Sequence, residues 1–244
     1  MKLEYWYDDM IRFMKDASEY GNYNRILLQK MRPFLKPDMH ICDAGSGLGY
    51  LSLAMAPYVR QVTAVEKHPG AATVLEENCL RLGVANVRSC CGDVELLPPG
   101  EPYDAMVFCF FGQTQQILRL ARQQCRGRVF VFTRNYRNHR FSAGVHTAGW
   151  EGFPEFQVLL REQGIDAYME TFRAEYGQPF RSWTDARRFF ELYSKDPDKA
   201  VITEDFLKQK TVETGSDDFP FYMPHEKHVA FMTFLAEDIP DVFG

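Results

Sequence analysis

Glycine recurs at every second position in a short segment that follows an apolar run and an acidic residue. The segment reads Asp43-x-Gly45-x-Gly47-x-Gly49. Because glycine lacks a Cβ and tolerates positive φ, the backbone here can turn sharply and approach a ligand closely. The residues that follow, 51–56, have helical composition, which places unpaired backbone N–H groups at a helix N-terminus. Such a loop is typical of a site for a nucleoside cofactor.

Tyr50 decides between two classes of cofactor. A dinucleotide loop of the form G-x-G-x-x-G needs glycine or alanine at its third position, where the helix packs on the strand. Counted from Gly45 and Gly47, that position holds Tyr50, whose ring is too large. The Asp43 carboxylate would also repel a diphosphate. NAD and FAD are therefore disfavoured, and an acid two residues before the first glycine favours a cationic ligand that carries an amino acid group.

Two further acids, Glu66 and Asp93, follow the next two apolar runs. Taken alone, either acid has the ordinary alternative of capping a helix or lying in solvent. Together with the glycine spacing, however, the pattern resembles the class I S-adenosylmethionine-dependent methyltransferases, whose first motif has the form D/E-x-G-x-G-x-G. The resemblance implies S-adenosylmethionine as the cofactor, with Glu66 accepting both ribose hydroxyls and Asp93 accepting from the adenine amino group. The residues expected to bind the cofactor are Asp43, Ala44, Gly45, Ser46, Gly47, Gly49, Glu66, Lys67, Cys91, Gly92, Asp93, Val94 and Phe110.

Apolar runs alternate with helical segments over the first half of the chain. Predicted strands lie at 41–43, 61–66, 86–91, 104–109 and 128–133, and predicted helices at 48–57, 70–82 and 113–124. Such alternation predicts parallel crossover units with helices on both faces of a sheet. The expected fold is therefore α/β and Rossmann-like, with a seven-stranded, mostly parallel sheet. Ligands of such sheets bind beyond the carboxyl ends of the strands, where the glycine loop and the acids lie.

Helical segments also precede this core. Apolar residues at helical spacing predict two helices before the prolines near residue 37, so residues 1–36 are interpreted as an N-terminal helical cover and 37–244 as the methyltransferase domain. The resemblance implies that aromatic residues of the cover face the site. The candidates are Tyr5, Trp6, Tyr7, Tyr20 and Tyr23.

The second half of the chain departs from the family pattern. A helix is expected at 152–164 and strands at 166–176 and 228–235. Between these strands Ser182 and Thr203 are predicted to cap two helices, the second of which runs toward Glu213. Since the last two strands of the family usually form a hairpin, residues 180–225 are interpreted as an inserted helical lid over the substrate.

Composition limits the partners of the protein. The chain has 244 residues, a mass of 28.3 kDa and a net charge of −5, which argues against a broad nucleic-acid surface. No segment reaches the roughly 20 apolar residues of a membrane span, and the N-terminus lacks an export signal. We expect a cytoplasmic protein, monomeric or homodimeric. The six cysteines show no C-x-x-C spacing, so neither a metal site nor a disulfide framework is expected.

The acceptor of the methyl group is less well defined. An oxygen or nitrogen acceptor can need a base, for which His139, His146, His225 and His228 are candidates and none is singled out. The sequence at 108–111, Phe-Cys-Phe-Phe, lacks the (N/D)-P-P-(Y/F) motif of the relatives that methylate planar amines. Loop 134–140 contains three arginines that could clamp a carboxylate or phosphate, with a solvated basic loop as the alternative.

These features predict a methyltransferase that acts on an oxygen or nitrogen of a small molecule, with an anionic metabolite as one candidate. RNA or protein methylation is an alternative within enzymes. A protein that binds S-adenosylmethionine without catalysis is an alternative of another class.

Overall fold

The computed structural model describes residues 8–97, 100–136, 141–146 and 152–243. Within these ranges the helices are α1 (Asp8–Tyr20), α2 (Tyr23–Met31), α3 (Tyr50–Met55), α4 (Pro69–Leu82), α5 (Thr114–Gln124), α6 (Phe153–Glu162), α7 (Trp183–Tyr193) and α8 (Glu204–Lys210). The strands are β1 (His40–Ala44), β2 (Gln61–Glu66), β3 (Val87–Cys91), β4 (Tyr103–Cys109), β5 (Cys125–Arg134), β6 (Tyr168–Glu175), β7 (Gln178–Phe180), β8 (Val212–Glu213), β9 (Phe221–Met223) and β10 (Glu226–Leu235).

Seven of the described strands form the main sheet, in the order β3-β2-β1-β4-β5-β10-β6. The first five are parallel to one another, and β10 is antiparallel to both of its neighbours. The inner strands are apolar over their whole length because helices cover both faces, and residues 105–108 are 0% exposed. The predicted α/β fold with a seven-stranded, mostly parallel sheet is confirmed.

The two faces of the sheet have separate hydrophobic cores. Helices α2 and α3 cover one face, where Leu27 and Met55 pack against residues that include Phe132. Helices α5 and α6 cover the other face with Leu118 and Phe156. No described helix combines the length and the apolar character that crossing a bilayer requires.

The parallel register brings the acids to one edge of the sheet. Asp43 is the last residue but one of β1 and lies beside Ala64 of β2 and Val107 of β4. Glu66 ends β2 and pairs with Cys91, the last residue of β3. The chain therefore leaves β1, β2, β3 and β4 at the same edge, and the loops that follow these strands meet there.

The segment between β6 and β10 contains both helices and strands. Its helices are α7 and α8, and β7, β9 and β8 form a separate three-stranded sheet in that order. The predicted caps are confirmed, since Ser182 Oγ accepts from Asp185 N at 3.1 Å and Thr203 Oγ1 accepts from Phe206 N at 3.2 Å. The predicted helix toward Glu213 was too long, because α8 ends at Lys210 and Glu213 lies in β8.

Helix α1 is joined to this inserted segment. The Phe13 ring packs edge-on against Phe180 and Phe189, with centroids 6.3 and 5.2 Å away. Arg181 donates from both terminal nitrogens of its guanidinium to the buried Asp16 carboxylate. Further ion pairs join Arg12 to Asp185 and Arg188 to Asp9.

Candidate functional site

The glycine loop follows β1 and has the backbone conformation that its sequence requires. Gly45, Gly47 and Gly49 have φ values of 68°, 56° and 76°, a region that other residues rarely adopt. A Cβ on Gly45 would lie 2.1 Å from Cδ2 of Phe111, and one on Gly49 would lie 2.3 Å from Cδ1 of Leu75. The loop is thus held closely between the end of β4 and helix α4.

Backbone hydrogen bonds fix the loop on the sheet. Ser46 N donates to Val65 O at 2.9 Å, and Gly47 N donates to the Glu66 carboxylate at 2.9 Å. Ala44, just before the first glycine, is fully buried. The loop therefore keeps its shape through contacts with β2, and a ligand does not have to order it.

Asp43 is the most buried acid of the site and is only 1% exposed. Its Oδ2 accepts from Ser52 Oγ at 2.5 Å, whereas Oδ1 has no donor among the described residues. Burial raises the pKa of Asp43 to about 6, the Ser52 hydrogen bond opposes the rise, and the charge of Glu66 adds to it. Because buried polar atoms are rarely left unpaired, Oδ1 fits a donor that a ligand supplies, such as the ammonium of an amino acid group.

Glu66 is fixed by two backbone donors. Its Oε2 accepts from Gly47 N and its Oε1 accepts from His68 N, each at 2.9 Å. A carboxylate offers about four acceptor positions, so each oxygen keeps one for a further donor. This arrangement is compatible with the bidentate hydroxyl contact expected of Glu66.

Asp93 and Lys67 form an ion pair after β3 and β2. Lys67 Nζ lies 2.9 Å from Asp93 Oδ2, while Oδ1 accepts from Glu95 N at 3.1 Å. The hydrogen bond from Lys67, followed by the one from Glu95, lowers the pKa of Asp93. Because the Lys67 side chain is 76% exposed, the pair is weak and opens readily. An adenine amino group at Oδ2 would take the place of Lys67.

The remaining residues expected near the adenine differ in exposure. Gly92 donates its N–H to Glu66 O at 2.9 Å, and no atom lies within 4 Å of the position of a Cβ there. Cys91 is exposed, whereas Val94 is 2% exposed and belongs to the core. The open space is therefore beside Gly92 and Cys91.

Phe110, the residue after β4, has an unusual backbone conformation. With φ of 54° it is the one non-glycine residue at positive φ in the described ranges, and its N–H donates to Phe132 O at 2.9 Å. Such conformations cost energy and occur often at functional sites. The turn directs the Phe111 ring over Gly45 and places the Phe110 ring 5.0 Å from Lys227 Nζ.

A second group lies next to this turn, and it was not found in the sequence. Lys227 Nζ is 4.1 Å from the ring centroid of Tyr176, 4.9 Å from that of Tyr23 and 5.0 Å from that of Phe110, three rings that we call the aromatic cage. One sequence feature could have indicated the position of Lys227. It is the second residue of β10, and an antiparallel strand starts at the edge of the sheet where its parallel neighbours end. Tyr23 and Phe110 were expected near the site, whereas Lys227 and Tyr176 were not.

Two of the histidine candidates, His146 and His225, line the same cavity. His146 Nε2 is 2.7 Å from Asp196 Oδ1, and His146 borders a cavity of about 440 Å³ that His225 and Lys210 also line. Although burial opposes it, hydrogen bonds from His146, Ser194 and two loop N–H groups lower the pKa of Asp196.

His228 Nε2 lies 3.7 Å from a Glu226 carboxylate oxygen. His139, three of the N-terminal aromatic candidates and most of the basic loop fall outside the described residues. No histidine is therefore marked as the base.

Residues 41–129 match a family model described as a methyltransferase domain. A protein-L-isoaspartate O-methyltransferase of Magnetococcus marinus is 34% identical over 70 residues, which are 28% of this chain and 31% of the relative. An uncharacterized RNA methyltransferase of Lactobacillus johnsonii is 36% identical over 78 residues, 30% of this chain and 17% of the relative. The chain thus spans less than a third of the length of these curated relatives.

The solved YcgJ protein of Bacillus subtilis shares the fold with a TM-score of 0.56 and 14% identity, over 88% of this chain and 97% of that protein. The family match covers the glycine loop and the strands that carry the acids. Together, the sequence match over residues 41–129 and the seven-stranded sheet support a class I S-adenosylmethionine-dependent methyltransferase, with S-adenosylmethionine as the cofactor.

Proposed function

We propose that this protein transfers the methyl group of S-adenosylmethionine to an oxygen or nitrogen atom of a small molecule. The observation that carries the proposal is the position of Asp43, Glu66 and Asp93 at one edge of the sheet, around a glycine loop that is hydrogen-bonded to β2. The unpaired Asp43 Oδ1 fits the amino group of the cofactor, the free acceptor positions of Glu66 fit the ribose, and Asp93 fits the adenine amino group.

When bound, the cofactor supplies a methyl group on a positively charged sulfur. Methyl transfer is an in-line displacement, so the main task of the chain is to hold the acceptor atom opposite the sulfur. In this proposal the residues at the end of β4 separate the two ligands. The Phe111 ring covers the glycine loop, and the Phe110 ring faces the acceptor side.

Helix α1 supports a covered site for a small acceptor. Ile11 and Met14 pack against Leu48 of the glycine loop, while Phe13 packs in the core of the inserted segment. Helix α1 thus connects the cofactor side with the inserted segment. In this proposal α1 and the inserted segment cover the acceptor and exclude water from the reacting methyl group, whereas RNA or protein acceptors need an open groove.

The curated relatives do not decide the acceptor, because their matches cover only short segments. The discriminating experiment measures binding and transfer separately. Calorimetry with S-adenosylmethionine and S-adenosylhomocysteine measures binding, and incubation with methyl-labelled cofactor plus metabolite extract, total RNA or protein measures transfer. We expect both nucleosides to bind and label to appear in the metabolite fraction.

A matched pair of variants tests the site. Glu66→Gln should weaken cofactor binding by about tenfold or more, because a charge-assisted hydrogen bond is lost. Glu204→Gln, at an exposed ion pair on α8, should leave binding unchanged. Label only in RNA or protein would overturn the small-molecule acceptor, and binding without transfer to any fraction would support the non-catalytic alternative. Absence of binding would refute the whole proposal.

A further inference from the structure

Lys227 is a cation without a carboxylate partner in the described part of the chain. It is partly buried, and no acidic group lies within ion-pair distance of its Nζ there. The neighbouring acids have other partners: Glu226 pairs with Arg173, and Glu175 accepts from the Tyr222 hydroxyl at 2.6 Å. Successive residues of a strand point to opposite faces, so Glu226 and Lys227 lie on different faces of the sheet.

The surroundings offer the Lys227 amine aromatic faces but, within the described residues, no negative charge. The three rings of the aromatic cage lie within 4.1–5.0 Å of Nζ, a distance at which aromatic faces attract a cation. Burial lowers the pKa of Lys227 to about 8, the Cys109 thiol opposes this effect, and the positive charge of Arg134 adds to it. Lys227 is therefore mainly an ammonium at pH 7, which makes it a binding group in preference to a base.

The Tyr23 hydroxyl provides a second, independent observation. Tyr23 is 4% exposed, and its Oη has no hydrogen-bond partner among the described residues. The hydroxyl of Tyr176, whose ring centroid is 4.5 Å from that of Tyr23, is 3.2 Å from Ser18 Oγ. The Tyr23 ring centroid lies 4.9 Å from Lys227 Nζ, so this part of the described structure holds two donors, the hydroxyl and the ammonium, without an acceptor.

The position of these donors relates them to the cofactor site. The thiol of Cys109, the last residue of β4, is influenced by the charges of both Asp43 and Lys227. Asp43 lies before the glycine loop, and the Phe110 ring is part of the aromatic cage. Lys227 is therefore a neighbour of the cofactor site across the end of β4.

We infer that Lys227, Tyr23 and the aromatic cage form a subsite for an oxyanion, a carboxylate or a phosphate carried on an apolar body, on the methyl-accepting substrate. The ammonium and the Tyr23 hydroxyl donate to the oxyanion, and the rings contact the apolar part of the ligand. The assignment of this oxyanion to the methyl-accepting substrate rests on the proposed function. Binding of an oxyanion at the subsite can be tested without methyl transfer.

The test uses the full chain saturated with S-adenosylhomocysteine and three probes of similar shape. Benzoate carries a carboxylate, phenyl phosphate carries a phosphate, and benzamide is neutral. Calorimetry should show that at least one of the two anions binds, and that benzamide binds about tenfold more weakly or not at all, since a charge-assisted contact is worth a factor of about ten or more. The stronger of the two anions identifies the class of oxyanion.

Four variants locate the effect. Lys227→Met keeps the apolar stem and should weaken anion binding by about tenfold or more, while Lys227→Arg keeps the charge and should bind the anions more tightly than Lys227→Met. Tyr23→Phe should weaken binding by about threefold to tenfold, because one hydrogen bond is lost. Lys208→Met, at an exposed ion pair of α8, is the control and should change nothing.

Two outcomes would overturn the subsite: equal affinities for benzoate and benzamide, or an unchanged anion affinity in Lys227→Met. Binding of S-adenosylhomocysteine is measured on every variant and should stay within about twofold of the wild type, which also shows that each variant is folded. If this nucleoside fails to bind the wild type, the proposed function fails. The anion titrations, repeated without the nucleoside, then still test the subsite.

Discussion

Replacement of Asp43 by asparagine should make the ligand-free protein more stable at neutral pH. The Asp43 carboxyl is 1% exposed, one of its oxygens has no donor among the described residues, and burial raises its pKa from 3.8 to about 6. Since one pKa unit is equivalent to about 1.4 kcal/mol, ionised Asp43 costs the folded state about 3 kcal/mol at pH 7. Asp43→Asn removes this cost and keeps a polar group of the same shape beside Ser52.

The raised pKa of Asp43 determines at which pH its carboxyl destabilises the folded state. The folded state holds the Asp43 proton more tightly than the unfolded state, so the contribution of Asp43 to stability is fully present below pH 3.8. It is lost as the pH rises through about 6. The stability advantage of Asp43→Asn should therefore be about half as large at pH 5 as at pH 7, and constant above pH 7.

Urea denaturation of both proteins at pH 5, 6, 7 and 8, without cofactor, measures this difference. Asp104→Asn is a control of opposite sign. Burial alone would raise the pKa of Asp104, but hydrogen bonds from His40 N and Arg126 and the positive charges of Arg126 and Arg60 lower it. Loss of the Asp104 charge should destabilise the protein by nearly the same amount at all four pH values, because a carboxyl whose pKa is lowered below 3.8 makes its full contribution to stability already at pH 5 and above. If Asp43→Asn is no more stable than the wild type at pH 7, or if the difference does not change with pH, the description of Asp43 as a costly buried charge is wrong.

Three other substitutions, Gly45→Ala, Asp16→Asn and Thr203→Ala, test the loop, the cover and the inserted segment in the same denaturation assay, and two of them have a matched comparison variant. Gly45→Ala places a Cβ 2.1 Å from an aromatic carbon at φ of 68° and should lower the free energy of unfolding by about 3 kcal/mol. Gly164→Ala has the same φ and no atom within 4 Å of the new Cβ, so it should cost about 1 kcal/mol. Equal costs would contradict the close packing of the loop. Asp16→Asn weakens the bond to Arg181 and should cost about 2 kcal/mol of stability. It should also increase hydrogen exchange in both α1 and α7, and an increase confined to one helix would refute their coupling. Thr203→Ala should cost about 1 kcal/mol through loss of the α8 cap, and Thr203→Ser should restore it, so a serine variant as unstable as the alanine one would exclude the cap as the cause.

The part of the site that follows β1, β2 and β3 could be predicted because it depends on local order alone. An apolar run followed by an acid places that acid at the carboxyl end of a strand, and parallel pairing then aligns all such ends. Glu66 therefore lies beside Cys91 in the register, as the alternation of strands and helices implies. The glycine spacing near Gly45 gave the conformation of the loop for the same reason.

The grouping of Lys227 with the aromatic cage could not be predicted, because the amine and the three rings come from four separate parts of the chain. Tyr23 begins α2, Phe110 follows β4 and Tyr176 follows β6, so only the tertiary packing brings them to the amine. The short strands β7, β8 and β9 were missed because two or three residues are too few for an alternating pattern. The length of α8 was overestimated, since helical composition continues past the residue where the backbone turns into β8.

The inserted segment leaves the main sheet and returns to it at a single point. Tyr176 N donates to His225 O at 2.8 Å, just beyond the paired residues Glu175 and Glu226. In topological terms residues 177–224 are an enlarged hairpin turn, so their replacement by another turn leaves the strand order and every crossover intact. Under the proposed function, exchange of this module would alter which acceptor reaches the methyl group and leave the loops after β1, β2 and β3 unchanged. The constraint on such an exchange lies at the other end of the chain, because a new module must still cover Phe13 of α1.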